Sequence, residues 1–307
     1  MLPDASSFSA IVDDAFYFIL FISVIFFVGI VATMIFFVVR YHHTRNKTVE
    51  NIEGNLTLEI VWTVIPTILV MFMFYYGFIG YRDMRTPPED AMKIKVTARK
   101  WSWTFTYENG YQAAELKVPK GRAVKAEIES EDVIHSFYIP AFRVKQDAVP
   151  GRDTFLWFNA TETGTFDILC TEYCGDRHSY MLSTVEVLPG KQFDNWYAGT
   201  SGQQVTEGAD LSALGEKLVT LKGCTACHSL DGTPRISRSF KGLFGMTETV
   251  LTQGKERQIV VDEEYLIRSI KEPDADKVKE FASIPMPPQN LTDDEIKAIV
   301  EYLKQSK

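Results

Sequence analysis

The chain has 307 residues, 23% of them charged, and a formal net charge of -8. That length accommodates two modest domains plus membrane segments, and the acidic balance argues against nucleic acid as a partner. Four cysteines stand in two close pairs, Cys170 with Cys174 and Cys224 with Cys227, and three of the five histidines (His135, His178, His228) accompany the segments that carry chemistry.

The first element is an uncharged stretch from Ala15 to Val39. As a helix it covers roughly 37 Å at about 1.5 Å per residue, more than the ~30 Å hydrocarbon core of a bilayer. The second stretch runs from Leu56 to Gly80, with one charge, Glu59, near its start and a proline, Pro66, which a membrane helix tolerates. A buried core helix is the alternative, and the length and purity of the stretches speak against it. A cleaved signal fits poorly because the leader carries Asp4, Asp13 and Asp14 where a signal would be basic. Residues 1–88 are therefore expected to hold a transmembrane hairpin, with helices at about 15–39 and 56–80. Arg40, Arg45 and Lys47 in the short connection place it in the cytoplasm. Both termini and all four cysteines then lie outside, on the oxidising side.

From Met92 the pattern switches to period two. Met92, Ile94, Val96 and Ala98 alternate with charged and polar residues, and Trp101, Trp103, Phe105 and Tyr107 share a face. Asn109-Gly110, Pro119-Lys120-Gly121 and Pro150-Gly151 mark turns, and further runs at 154–158, 165–169 and 181–188 complete a sandwich of about seven or eight strands over residues 89–188.

The loop Cys170-Thr-Glu-Tyr-Cys174-Gly-Asp-Arg-His178-Ser-Tyr-Met181 carries the first site. A disulfide and a zinc site are the plain alternatives. A mononuclear blue-copper centre needs one thiolate, two histidines and a weak methionine. Here two thiolates are available to bridge two copper ions. His135 and His178 supply one imidazole each, Met181 one weak axial ligand, and a backbone carbonyl the other. Such soft ligands suit one-electron transfer.

These segments, with Val133-Ile-His135-Ser-Phe-Tyr-Ile-Pro140 and Lys145-Gln-Asp-Ala-Val-Pro-Gly151, resemble the copper-A domain of cytochrome c oxidase subunit II, a cupredoxin-like fold. The resemblance runs from the first helix to about Trp196. It implies that Glu172 gives its carbonyl to copper and that its side chain reaches a magnesium ion at the boundary with subunit I. It also implies that Trp101 receives electrons for the copper, and that Glu59 lies near the mouth of a proton path into subunit I. Sandwich core and helix-terminal acid are the respective alternatives for those two. Quinol-oxidising relatives lack the copper ligands, so their presence here argues against that branch.

Residues 189–208 read as a polar, flexible linker with four glycines. Residues 209–307 then open with an apolar stripe at helical spacing, Leu211, Leu214, Leu218, Val219 and Leu221, followed by Cys224-Thr-Ala-Cys227-His228. That is the c-type haem attachment motif: two thioethers and an adjacent axial histidine. Zinc or a thioredoxin-like pair leaves the histidine unexplained. Met286, between prolines and ahead of a helix with Thr292 and Glu295 as a capping box, resembles the second axial ligand of class I cytochromes c, an all-α fold; Met246 is the competitor. Arg238-Ser-Phe-Lys-Gly-Leu-Phe-Gly245 resembles the family's glycine-rich segment, with Arg238 where a proline usually gives its carbonyl to the axial histidine.

Together these parts resemble subunit II of the caa-type bacterial haem-copper oxidases, with a fused cytochrome c domain. The resemblance implies a membrane-anchored oxidoreductase subunit with dinuclear copper and one covalent haem c. It implies subunit I, other membrane subunits and lipid as partners, and cytochrome c or an upstream quinol-oxidising complex as donor. The place is the bacterial inner membrane, with both redox domains on the periplasmic side. Dioxygen is reduced elsewhere, because two helices nearly without histidine cannot hold that centre. A nitric oxide reductase partnership and a membrane-anchored copper store or sensor are the alternative readings.

Overall fold

The structure is a computed structural model that describes residues 3–45, 47, 53–200, 210–233 and 235–306. Two long helices come first, α1 (Ser9–Arg40) and α2 (Leu56–Met84). Both exceed the expected spans, mainly at the end that meets the sandwich. The added first turns of α1 are polar for a reason: Arg143 grips Asp13 with Nε and Nη2, each at 2.8 Å. Both helices are long and apolar enough to cross a membrane, and none of their apolar stretch is buried within the chain. Rows of exposed Phe, Ile and Val fit hydrocarbon or neighbouring helices and not water. α2 leads into the sandwich, where the Trp157 indole N–H donates to the Asp83 carbonyl at 3.1 Å.

The sandwich has ten strands, more than expected because short edge strands carry little periodic signal. One sheet runs β3 (Gln112–Ala113), β2 (Ser102–Tyr107), β1 (Met92–Arg99), β5 (Ala123–Ser130), β8 (Thr154–Asn159). The other runs β4 (Leu116–Pro119), β10 (Leu182–Leu188), β9 (Gly164–Cys170), β6 (His135–Ile139), β7 (Val144–Ala148). Parallel pairings of β1 with β5 and of β4 with β10 interrupt the otherwise antiparallel order. The period-two residues face inward: Ile94, Val96, Phe105, Phe137, Phe158 and Val185 fill the space between the sheets. Residues before α1 belong to this core as well. Ala5 and Phe8 are buried in it, and the Ala5 N–H donates to the Ala141 carbonyl at 3.1 Å.

The stretch expected as linker is helical over its first half, α3 (Gly190–Thr200). Phe193, Trp196 and Tyr197 form an i, i+3, i+4 stripe that packs on Tyr107 and Tyr111. The second half, 201–209, lies outside the described residues.

The last domain is mainly helical: α4 (Leu211–Leu221), α5 (Glu263–Lys271) and α6 (Asp293–Gln305). α4 packs on α6 through a close approach at Gly215, where an added Cβ would lie 2.0 Å from the Ala298 carbonyl oxygen. The expected capping box is formed: Thr292 accepts from the Glu295 N–H, and Glu295 accepts from the Thr292 N–H. The domain is not purely α. A three-stranded antiparallel sheet, β12 (Lys255–Val260), β11 (Thr247–Thr252), β13 (Asp276–Val278), covers one side. Strand pairing is possible here because the turn at Gln253-Gly254 folds β11 directly back on β12.

Candidate metal and haem sites

β6 and β9 are neighbours, with Phe137 opposite Cys170. That register brings His135, at the start of β6, beside Cys170, at the end of β9. The loop after β9 then folds back so that the Cys170 N–H donates to the Met181 carbonyl at 3.3 Å. The result gathers every expected copper ligand. The Cys170 and Cys174 sulfurs lie 3.8 Å apart. His135 Nδ1 is 3.9 Å from Cys170 Sγ, and His178 Nδ1 is 3.6 Å from Cys174 Sγ. Met181 Sδ lies 3.9 Å from Cys174 Sγ, and the Glu172 carbonyl 3.3 Å from Cys170 Sγ. Neither pair of cysteines is a disulfide. Two sulfurs, each with its own imidazole and one weak donor nearby, match a two-copper centre in number and kind. One four-coordinate zinc would leave donors over.

The electrostatics agree. Cys174, His135 and backbone groups draw the Cys170 thiol down to about 3, although burial opposes them. Cys174 is pushed up, because a second thiolate would sit against the first. Bound cations remove that conflict. Sequence reasoning missed Asp132, whose carboxylate lies 2.8 Å from His135 Nε2 and accepts the Lys100 N–H at 2.8 Å and the Val133 N–H at 2.7 Å. It orients the ring and leaves Nδ1 facing the sulfurs.

Trp101 is 8% exposed and donates its indole N–H to the Cys174 carbonyl at 3.2 Å. The ring lies against Gly175, where a Cβ would come within 3.3 Å of it. Glu172 has an exposed side chain. Among the described residues, the one cluster of three metal-type side chains is His135, Cys170 and Cys174. Glu59 is exposed in the first turn of α2, about 36 Å along the helix from Asp83 at the sandwich end.

In the last domain Cys224 and Cys227 flank a single 3-10 turn (Cys224–Ala226) that opens on a cleft. The cleft encloses about 1390 Å³, counting its open mouth, and is lined by Cys224, Cys227, His228, Met286, Ile299 and Leu303. Met246 is not on this wall, whereas Met286 is. His228 Nδ1 is 2.7 Å from the Arg238 carbonyl, and its ring stacks on Phe240 with centroids 4.3 Å apart. Burial holds the imidazole below its usual range, so it is neutral with Nε2 free for iron. The free thiols, the oriented imidazole and the thioether across an apolar cleft fit a covalent haem.

The two sites adjoin. Lys100 and Trp101 of the sandwich also line the haem cleft. Thr104 donates to the Leu221 carbonyl at 3.1 Å, Arg99 donates to the Lys222 carbonyl, and the Lys217 ammonium sits 4.7 Å from the Tyr111 ring centroid. The accepting carbonyls are those left unpaired at the end of α4.

Comparison with known proteins follows the same order along the chain. The family described as cytochrome C oxidase subunit II, transmembrane domain, matches residues 1–79. The periplasmic domain of the same subunit matches 112–188, and cytochrome c matches 212–307. Cytochrome c oxidase subunit 2 of Alkalihalophilus pseudofirmus is 30% identical over 301 residues, covering 94% of this chain and 86% of that one. The Bacillus subtilis protein of the same name is 30% identical over 296 residues, covering 88% and 82%. A crystal structure of the periplasmic domain of subunit II of cytochrome oxidase from Bradyrhizobium japonicum is 32% identical, with a TM-score of 0.36, over 38% of this chain and 96% of that one. The chain belongs to the cytochrome c oxidase subunit 2 family, as a member with a C-terminal cytochrome c domain.

Proposed function

We propose that the chain collects electrons at a haem c and hands them through a dinuclear copper-A centre to subunit I of a haem-copper oxidase, where dioxygen becomes water. With both groups bound, the chain supplies one-electron chemistry and no bond-making step. Cys170, Cys174, His135, His178, Met181 and the Glu172 carbonyl would hold the coppers, which would supply the one-electron chemistry of this site. Cys224 and Cys227 would hold the haem covalently, and His228 and Met286 would ligate its iron. The observation that carries the reading is Trp101: one side chain lines the haem cleft and bonds to the backbone of a copper-bridging cysteine. Sharing a chain keeps the two centres at an effective concentration around the millimolar range or above.

Subunit I and other membrane subunits are the partners of the hairpin, together with lipid. The donor is a cytochrome c or an upstream quinol-oxidising complex. Glu172 would hold a magnesium ion shared with subunit I, and Glu59 would stand at a proton-path mouth on the far membrane face. The setting is a bacterial inner membrane with both redox domains on the periplasmic side.

The test uses the purified full chain. Metal analysis is expected to find about two coppers per chain with a mixed-valence paramagnetic signal. Flash reduction of the haem is expected to be followed by copper reduction at a rate independent of protein concentration. A rate proportional to concentration sinks the intrachain path. Met286→Ala is expected to remove the methionine-to-iron absorption band. If Met246→Ala removes it instead, the axial assignment is wrong.

A further inference from the structure

The axial histidine of the haem site is held by a segment with no regular structure. Residues 235–240 belong to neither a helix nor a strand, so no ladder of backbone bonds fixes the Arg238 carbonyl that accepts from His228 Nδ1 at 2.7 Å. Downstream, Phe240 N–H and the Ser239 hydroxyl both donate to the Ser229 carbonyl, at 2.8 and 3.0 Å. These bonds hold Ser239 and Phe240, and neither is made by Arg238.

What anchors Arg238 is its own side chain. Its Nη2 donates to Glu248 Oε2 at 3.0 Å, and its Nε lies 2.9 Å from Oε1 as an ion-pair contact without the alignment of a hydrogen bond. Glu248 projects from β11, where its backbone is fixed opposite Ile259, and its side chain is only 5% exposed. A second acid, Glu280, approaches Nη2 at 3.2 Å but is 65% exposed. A charge-assisted hydrogen bond to a carboxylate held on a strand, backed by the ion pair, limits where the Arg238 side chain can go. Charged pairs out of water are weak stabilisers relative to apolar packing, so stability alone is a poor reason for this one.

We propose that the Arg238–Glu248 pair is a positioning device for the haem: it clamps the Arg238 carbonyl onto the His228 Nδ1–H and through that bond tunes the potential of the iron. A strong bond at Nδ1 raises the basicity of the ligating nitrogen. A more basic ligand stabilises ferric over ferrous iron and lowers the reduction potential, one of the levers available to the protein around a haem. Arg238 and Glu248 are positioning residues and touch the iron only through His228. The inference rests on the reading of His228 as axial ligand.

Glu248→Gln in the haem-loaded full chain is the test. Glutamine keeps the volume of the side chain but not its charge, and releases the guanidinium toward Glu280. The haem midpoint potential is expected to rise, and exchange of the His228 Nδ1–H with solvent to quicken at least tenfold. Adding Arg238→Pro to Glu248→Gln replaces the clamp with a stiff backbone, and both readouts are expected to return toward the parent values. A haem-loaded Glu248→Gln chain with unchanged potential and unchanged exchange overturns the proposal. Should that variant fail to accumulate, Arg238→Lys, which keeps the charge but not the planar guanidinium that reaches Glu248, is expected to shift the potential upward by less, and no shift overturns the proposal equally. The axial reading fails separately: the parent chain then shows no haem-ligated imidazole signal before any variant is made.

Discussion

At the scale of single residues, the candidate copper ligands stand out in the chain because their chemistry and spacing are unusual together. Two thiolates, two imidazoles and a thioether leave few other uses. Asp132 was not legible in the same way, because it stands among Glu129 and Glu131 as one acid in a charged turn. Only the fold brings it to 2.8 Å from His135 Nε2. Loss of such an outer partner typically costs about 10–100-fold in metal affinity. Asp132→Ala is therefore expected to weaken copper retention by that factor, measured by titration against a competing chelator. Asp132→Asn, which can still accept from the ring, is expected to lose less.

At the scale of elements, the crossing of α4 on α6 depends on one missing side chain. A Cβ at Gly215 would fall 2.7 Å from both the Ala298 carbonyl carbon and Tyr302 Cβ, as well as on the carbonyl oxygen. Backbone cannot step aside cheaply, and overpacking of this kind costs about 1–3 kcal/mol or more. Gly215→Ala is expected to lower the melting temperature of the haem domain by roughly 10 °C, read from its haem absorbance. The sheet of the same domain is joined to α5 through Asp276 on β13, 3% exposed, which meets Arg257 at 2.9 Å and Arg268 Nε at 3.0 Å. Burial tends to raise its pKa, but bonds from Thr252, Arg257 and Arg268 outweigh burial and lower it. A lowered carboxylate pKa gives stability that is present above the unfolded value and lost as pH falls through the folded one. The haem domain is expected to lose melting temperature below about pH 4, and Asp276→Asn to flatten that loss while costing about 2 kcal/mol at neutral pH. An unaltered acid limb in the variant removes Asp276 from the cause.

At the scale of the whole molecule, the sandwich and the haem domain meet through the end of α4 and the strands that flank Trp101. Arg99 and Thr104 supply the donors that its last carbonyls lack. Each such bond contributes about 1–1.5 kcal/mol net, so removing both lowers the docked population roughly tenfold or more. Arg99→Ala with Thr104→Val is expected to slow haem-to-copper transfer in the full chain by about that factor, with copper and haem content unchanged. An unaltered transfer rate in flash reduction shows that this contact is not the transferring one.

The sequence by itself determined the parts: two apolar spans, a period-two sandwich, a copper loop and a haem attachment motif. Each is written locally, because hydrophobic period and ligand spacing act over a few residues. The helix at Gly190–Thr200 was equally local but was hidden by polar composition, since its stripe of Phe193, Trp196 and Tyr197 is only one turn long. The tertiary structure alone decided what lies between the parts. It placed Met286 and not Met246 on the haem cleft, set Asp132 behind His135, tied Arg238 to Glu248, and put Trp101 on the boundary of both sites. Those relations join residues distant in the chain, and their cause is packing and the pairing of buried polar groups, which no short window of sequence records.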